Sequence, residues 1–256
     1  MSRRTRYPYQ YLYFTVCFCL AGWGFPIVEG HAAEHVLRGL LEPSAVIELR
    51  TQVPGIIEEV PVERGDHITK GQVLVRLKSG VEKAQADLAQ TRFEFGKRKV
   101  QRNAELYKKQ LLSSHEKDEM ETELRIAELQ FQEATEKLRL RTILSPINGV
   151  VVKRALSPGD YAGEGQGQGP IMTIARIDPI NVELVVPVSL YKSIRKGMEA
   201  TVRPEKPAGV VYRGKVVIVD EVIDAASGTF GVRIELPNPS GSVSAGLNCQ
   251  VRILTR

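Results

Sequence analysis

Apolar residues recur along this chain at two different spacings, and the change of spacing divides it into segments. Residues 53–77 and 143–177 show short apolar runs separated by polar turns, as β-strands do. Between them, apolar residues return every three or four positions, as in amphipathic helices. From residue 178 onward the chain returns to short, alternating runs. The pattern predicts a β-domain that is divided by a helical insertion and followed by more β-structure.

The two strand-rich segments carry the same motif, offset by 94 positions. The first copy contains Gly55, Gly65, Asp66, Gly71 and Gln72, and the second contains Gly149, Gly159, Asp160, Gly165 and Gln166. Gly-Asp between apolar runs is typical of tight turns. We therefore interpret each copy as half of one small β-domain, with the glycines and aspartates of the motif as its structural turns.

The insertion predicts an antiparallel coiled-coil hairpin whose arms meet at residues 112–114. The second arm has one apolar seam, formed by Met120, Leu124, Ala127, Phe131, Ala134 and Leu138. The first arm predicts two shorter registers, Val81, Ala84, Leu88 and Phe95, then Val100, Ala104, Tyr107 and Leu111. Ser113 or Ser114 is the expected N-cap of the return helix. Arms of about 28 residues project about 40 Å.

The C-terminal segment predicts a small antiparallel β-barrel. Strands are expected at 182–188, 199–203, 209–220, 231–236 and 248–254, with one short helix at 190–197. The extended segment 36–42 is assigned to the same barrel and is expected to end at Pro43-Ser44, and the run 171–174 is expected to be the last strand of the second half-domain.

The first 33 residues have the layout of a signal peptide. Arg3, Arg4 and Arg6 precede an apolar stretch, and small residues follow it. Cleavage is expected after Ala32 or Ala33, and an uncleaved membrane anchor remains the alternative. Residues 34–256 then carry 32 basic and 29 acidic side chains, a balance too even to indicate nucleic-acid binding. Cys249 is the one cysteine after residue 33, which excludes an intrachain disulfide there.

No catalytic, metal or cofactor site is predicted. The four histidines, His31, His35, His67 and His115, have no partners at ligand spacing. The glycine-rich run 163–170 lacks the Lys-Ser/Thr and the following helix of a phosphate-binding loop, so it is interpreted as a flexible turn. Biotinyl and lipoyl carrier domains share the two-half architecture, and Lys78 or Lys83 lies near the junction that carries the modified lysine in such domains. Here the helical insertion replaces that junction.

The order of these segments resembles the periplasmic adaptor subunits, or membrane fusion proteins, of tripartite efflux pumps. Residues 62–74 and 145–151 are similar to the two half-motifs of that family, and residues 227–233 and 246–251 to its barrel signatures. The resemblance implies a fold that is mainly β with an α-helical hairpin. Its parts are a lipoyl-like first half (45–79), the hairpin (80–141), the second half (142–177) and the barrel (178–256 with strand 36–42).

The resemblance also implies partners and a contact site. Family members use an Arg, a Leu and a Ser at the hairpin tip to engage a TolC-like outer-membrane channel, and Arg102, Leu106 and Ser113 stand at those intervals. The expected protein is a non-enzymatic periplasmic adaptor, associated with the inner membrane, that forms a ring of copies. Its expected transporter is of the resistance-nodulation-division (RND) type, with an ABC exporter or a type I secretion system as the alternative. Because the sequence stops at Arg256, the membrane-proximal domain of longer adaptors is expected to be absent.

Overall fold

The computed structural model describes residues 34–163 and 169–254. The predicted signal peptide, residues 1–33, lies outside the described residues, as do Gly165 and Gln166 of the second motif. Within the described ranges, neither helix combines the length and the apolar character needed to cross a membrane.

The described residues form twelve strands and two α-helices. The strands are β1 (Glu34–Leu49), β2 (Gly55–Glu59), β3 (His67–Ile68), β4 (Val73–Leu77), β5 (Thr142–Leu144), β6 (Gly149–Arg154), β7 (Tyr161–Ala162), β8 (Met172–Pro187), β9 (Glu199–Pro204), β10 (Tyr212–Val219), β11 (Thr229–Leu236) and β12 (Asn248–Leu254). The helices are α1 (Gly80–Lys108) and α2 (Ser114–Arg139), and Val188–Leu190 form a single 3-10 turn.

The two motif copies fold into one lipoyl-like domain by exchanging strands. In the first copy β2 pairs with β7 of the second, and β3 pairs with β6. The pairs Gly55↔Ala162 and Ile68↔Gly149 are the same pair under the 94-residue offset. A single core joins both copies and includes Ile57, Leu74, Leu77, Val151, Met172 and Ile174. Neither half can bury its apolar face without the other.

Three of the motif's turns share one design. In each, a glycine with positive φ occupies the third position, where a side chain would be strained. The side chain of the fourth residue accepts a hydrogen bond from the backbone N–H of the first. The glycines are Gly65 (φ +94°), Gly71 (+85°) and Gly159 (+95°). The bonds run from Glu63 N to Asp66 Oδ2 (2.7 Å), from Thr69 N to Gln72 Oε1 (3.0 Å) and from Ser157 N to Asp160 Oδ2 (2.8 Å).

The prediction of turns at Gly55 and Gly149 is wrong, because both residues begin strands. Glycine is needed at both positions because neighbouring atoms occupy the space of a Cβ, and not because of turn geometry. A Cβ on Gly149 would overlap the backbone carbonyl oxygen of Ala175, and a Cβ on Gly55 would lie 2.6 Å from the Arg141 guanidinium. Both positions therefore exclude a side chain for reasons of close approach.

Strands β1 and β8 each run through both domains. The sequence predicts a break at Pro43-Ser44 and two separate strands at 171–174 and 182–188, but each is one strand of 16 residues. The ladder between them tolerates the proline through a register shift between Pro43 and Ala45. Together the two strands form a two-stranded ribbon that connects the lipoyl-like domain to the barrel.

The barrel contains six strands in the order β1-β12-β9-β10-β11-β8, and the β1–β8 pairing closes it. Segment 36–42 belongs to it, as the pattern predicts. Its core includes Leu41, Ile180, Val202, Phe230, Ile234 and Val251. The helix predicted at 190–197 is wrong: only the 3-10 turn at Val188–Leu190 forms, and turns follow it.

Helices α1 and α2 form the predicted antiparallel hairpin, but the seam of α1 differs from the prediction. All six predicted seam residues of α2 are half-buried. On α1, however, Val81, Leu88 and Phe95 are 66%, 54% and 58% exposed. Of the predicted α1 residues, Val100 alone is half-buried. It belongs to a different heptad register whose members are all buried or half-buried: Ala86, Ala89, Phe93, Gly96, Val100 and Asn103.

Small residues explain the true seam. Gly96 lies against Leu124, and the rings of Phe93 and Phe131 stack with centroids 6.0 Å apart. Lys99 Nζ pairs with Glu123 Oε2 across the helices at 2.7 Å. Alanine and glycine allow the helix backbones to approach closely beside this aromatic pair, whereas Val81, Leu88 and Phe95 remain outside the seam.

Gly149→Ala is expected to lower the free energy of unfolding by about 3 kcal/mol, because the added Cβ meets backbone that cannot move aside. Gly80→Ala is the control, because a Cβ on this first residue of α1 meets nothing within 4 Å, and it should not lower the stability. Urea denaturation of both variants measures the difference. Equal losses would contradict the crowding explanation.

Candidate partner-binding site at the hairpin tip

The first helix ends in a Schellman motif that turns the chain toward α2. Gln110 N donates to Tyr107 O (2.9 Å) and Leu111 N to Leu106 O (3.0 Å). Gln110 has φ +60°, in the left-handed region that usually holds glycine. The tip thus keeps a polar side chain at a position where glycine would relieve strain, which is typical of functional loops.

Ser113 begins the return helix with a capping box. Its Oγ accepts a hydrogen bond from Glu116 N (3.2 Å), and Glu116 Oε2 accepts from Ser113 N (2.9 Å). The Ser113 hydroxyl also donates to the same carboxylate at 2.8 Å. Of the two predicted caps, the structure selects Ser113, and α2 begins at Ser114.

The capping box also lowers the pKa of Glu116. The largest cause is the hydrogen bond from the Ser113 backbone N–H, followed by the bond from the Ser113 hydroxyl. Both bonds favour the ionised carboxylate. The carboxylate also lies in the first turn of α2, where the helix dipole favours negative charge.

Arg102 and Leu106 lie one helical turn apart on α1, and both are exposed. Leu106 is 40% exposed. Arg102 lines a shallow hollow of ≈ 250 Å³ with Phe95, Arg98 and Gln101. Ser113 lies across the turn, but its hydroxyl is already bonded within the cap. The three predicted contact residues therefore share the distal end of the hairpin, and two of them present free side-chain surface.

The packing between the helices loosens toward the tip. Asn103 and Lys117 occupy seam positions, where the Asn103 amide contacts Met120 Sδ (3.2 Å) and the Lys117 ammonium lies 4.9 Å from the centre of the Tyr107 ring. A cavity of ≈ 230 Å³ opens beside them. Its lining includes Val100, Asn103, Ala104, Tyr107, Leu112 and Met120. Polar seam residues fix the register of a coiled coil at a cost in stability, so the tip is its least tightly packed part.

Arg141 fixes the other end of the hairpin to the lipoyl-like domain. Its guanidinium pairs with Glu82 Oε1 at 2.6 Å and donates to the carbonyl oxygen of Pro54 at 2.8 Å. Its backbone carbonyl accepts from Leu77 N. The Arg141 and Glu82 side chains are only 19% and 17% exposed. One side chain thus joins the start of α1, the end of α2 and the loop before β2.

The sequence patterns did not identify Arg141. Its partners Glu82 and Pro54 are 59 and 87 positions away, so no local spacing indicates the contact. The Glu82 pKa is lowered, first by a hydrogen bond from its own backbone N–H in the first turn of α1 and then by Arg141, although burial opposes this.

The carrier-domain alternative gains no support from the junction. The chain between β4 and β5 is occupied by the α1–α2 hairpin, so no tight turn presents a lysine there. Lys78 donates its backbone N–H to Ile56 O, next to β4, and Lys83 lies in the first turns of α1. Among the described residues, no group of three or more His, Cys, Asp or Glu side chains could hold a metal ion.

Two family models match nearly all of the chain after its first segment. One is described as the CzcB-like barrel-sandwich hybrid domain and matches residues 45–175, and the other as the CusB-like beta-barrel domain and matches residues 179–256. The first model alone covers about half of the chain. The chain therefore belongs to the membrane fusion protein family. The predicted resemblance and fold class are confirmed, and the carrier alternative is not favoured.

Curated relatives match the sequence at low identity. The solvent efflux pump periplasmic linker SrpA of Pseudomonas putida is 25% identical over 224 residues, which cover 82% of this chain and 58% of that protein. Multidrug resistance protein MdtE of Escherichia coli K12 is 26% identical, with 82% of this chain and 61% of that protein covered. The chain thus spans about three fifths of the length of the curated relatives it matches.

A solved structure agrees with the fold. A MacA–MexA chimeric protein that contains the α-hairpin domain of Pseudomonas aeruginosa MexA superposes with a TM-score of 0.73 at 20% identity. The match covers 87% of this chain and 81% of the chimera. The comparison supports the overall fold, including the helical hairpin.

The capping box should lose strength in acid. Because folding lowers the Glu116 pKa below its ordinary value of 4.5, the stabilisation is complete above that value and disappears as the pH falls through the lowered pKa. Hydrogen exchange of the backbone amides at the start of α2 measures this effect. After correction for intrinsic exchange rates, the protection factors should fall between about pH 6 and about pH 3. Glu116→Gln cannot titrate and should remove this dependence. The same pH profile in both proteins would contradict the assignment.

Arg141→Ala should lower the free energy of unfolding by about 2 to 3 kcal/mol, because it leaves the largely buried Glu82 carboxylate without its cation. Arg139→Ala is the matched control, since Arg139 pairs with Glu136 on an exposed helix surface and should change stability by less than about 0.5 kcal/mol. Denaturant titration compares the two variants. An Arg141→Ala loss no larger than that of Arg139→Ala would contradict the anchoring role.

Proposed function

We propose that this chain is the periplasmic adaptor of a tripartite efflux system and links an inner-membrane transporter, of RND type, to a TolC-like outer-membrane channel. The observation that carries the proposal is the hairpin, which projects from a composite β-domain and is anchored at its base by Arg141. Helix α2 alone has 26 residues, equivalent to about 40 Å of helix. Such a rigid arm suits a protein that spans a distance.

The names of the curated relatives support this proposal. SrpA is named a periplasmic linker of a solvent efflux pump, and MdtE a multidrug resistance protein. By analogy we place the chain in the periplasm, associated with the inner membrane, with residues 1–33 as its signal peptide or anchor. The role is mechanical and not enzymatic. The transporter, in this proposal, selects what is exported.

The channel contact is proposed at the hairpin tip. Arg102 can donate charged hydrogen bonds to the channel, and Leu106 on the same face offers apolar surface. Ser113 contributes differently, because its hydroxyl is engaged by Glu116. Its part is to hold a tight turn that lets the channel approach closely.

Charge on the two helices supports assembly of copies side by side. Helix α1 has seven basic and four acidic side chains, a net charge of +3, whereas α2 has four basic and eight acidic, a net charge of −4. In a ring, α1 of one copy would face α2 of the next, so the opposite charges attract. The exposed Val81, Leu88 and Phe95 repeat every seven residues along α1 and supply apolar area on that helix.

Leu106→Asp should abolish export while the protein stays folded and abundant, because a carboxylate replaces the apolar contact at the tip. Leu129→Asp is the control: Leu129 is 48% exposed, against 40% for Leu106, and lies on α2 away from the turn. Both are expressed with the chain's own transporter and channel, and export is scored as resistance to a panel of antibiotics, solvents and metal ions.

Unchanged resistance in Leu106→Asp would remove the tip assignment. Loss of resistance in both variants with equal protein levels would show a general intolerance of charge on the hairpin, which also contradicts a specific contact. Deletion of the whole chain without any change in resistance would overturn the adaptor function itself.

A further inference from the structure

The ribbon between the two domains has a weak point where its ladder is interrupted. Pairing stops at Ala45↔Arg176 and resumes at Pro43↔Ile180. One residue of β1 therefore faces three residues of β8, 177–179. A long hydrogen bond of 3.4 Å from Ser44 Oγ to Arg176 O lies at this gap. The backbone hydrogen bonds between paired residues make a two-stranded ribbon resist bending. The ribbon should therefore bend most easily here, where the pairing is interrupted.

A buried asparagine from the barrel supplies partners at this interruption. Asn238 is only 2% exposed. Its Nδ2 donates to the carbonyl oxygen of Ile177 (3.0 Å), and its backbone N–H donates to Asp178 Oδ1 (2.8 Å). Two residues within the unpaired stretch of β8 are thus tied to the loop that follows β11.

The same asparagine organises that loop, residues 238–243, which we name the Asn238 loop. Its Nδ2 also donates to Val243 O (2.9 Å), and its Oδ1 accepts from Val243 N (3.0 Å). Gly241 N closes the turn on Asn238 O at 3.0 Å. Displacing the buried Asn238 amide would break all of these hydrogen bonds and cost a large free energy. The loop therefore keeps its conformation.

The Asn238 loop faces the lipoyl-like domain across an open gap. A Cβ on Gly241 would lie 3.9 Å from Nε2 of His67, which belongs to β3. A cavity of ≈ 380 Å³ separates the two surfaces. Its lining includes His67, Thr69, Asn148, Asp178, Ser240 and Gly241. Residues of both domains line this cavity, which leaves the domains space to move at the junction.

We propose that the Asn238 loop is a brace that fixes the angle between the barrel and the lipoyl-like domain. The ribbon supplies the connection, and the bonds from Asn238 to Ile177 and Asp178 stop it from bending where its ladder is interrupted. Loss of the bonds to Ile177 and Asp178 would free the junction, while Val243 keeps the loop attached to the barrel core. The brace concerns this chain alone and does not depend on which partners it has.

Distances between spin labels test the brace directly. Labels are placed at Lys153→Cys in β6 and Arg213→Cys in β10, both exposed positions, in the full chain with Cys17 and Cys19 replaced by Ser. Cys249 needs no replacement, because burial raises the pKa of its thiol to about 11 and leaves it unreactive near neutral pH. Asn238→Ala should broaden the distance distribution about twofold, as expected when a hinge is released.

Asp178→Ala removes one bond of the brace from an exposed side chain and should broaden the distribution to a smaller extent. Asn148→Ala is the matched control, because Asn148 lines the same cavity but, among the described residues, its side chain accepts its bond from Lys70 N, within its own domain. Its distribution should equal that of the parent protein. If Asn238→Ala does not fold, Asp178→Ala decides the question.

Two results would overturn the brace. The first is a parent-like distribution in every folded variant at Asn238 or Asp178. The second is equal broadening in Asn148→Ala, which would indicate general loosening of the junction. Amide exchange across β9 to β12 confirms that the barrel remains folded in each variant, so that broadening reports the angle and not unfolding.

Discussion

The pairing of β1 with β8 is the interaction on which the rest of the molecule depends. In the lipoyl-like domain it places Leu49 and Met172 side by side in the core, and in the barrel it closes the ring of six strands. Without this ladder the barrel would lose the strand pair that closes it, and the lipoyl-like domain would lose core residues that these two strands supply. Two domains with separate cores are in this way made dependent on a single set of backbone hydrogen bonds.

Local chemistry explains which features could be predicted from the sequence. Turns such as 63–66 need only a glycine and a nearby acceptor side chain, so the motif reveals them. The capping box at Ser113 and Glu116 is equally local. The seam of α2 was predicted because its apolar residues are large and regular. These features depend on neighbours within a few positions.

The features that could not be predicted depend on distant partners or on small residues. On α1 the pattern favoured Leu88 and Phe95, whereas the contact with α2 needs the small side chains of Ala86, Ala89 and Gly96. Pro43 was interpreted as the end of a strand. The register shift that accommodates this proline depends on the pairing with β8 and cannot be recognised from the local sequence. The contacts of Arg141 with Glu82 and of Asn238 with Ile177 join residues about 60 positions apart, and only the fold brings them together.

The start of α1 and the end of α2 meet at one ion pair, Arg141 with Glu82. The length of the helical arms is therefore independent of the structure of the β-domains. Insertion of matched heptads into α1 and α2 would lengthen the arms by about 10 Å for each heptad while Glu82, Arg141 and Pro54 kept their positions. The length of the hairpin can thus change through its arms alone, with no compensating change in the β-domains.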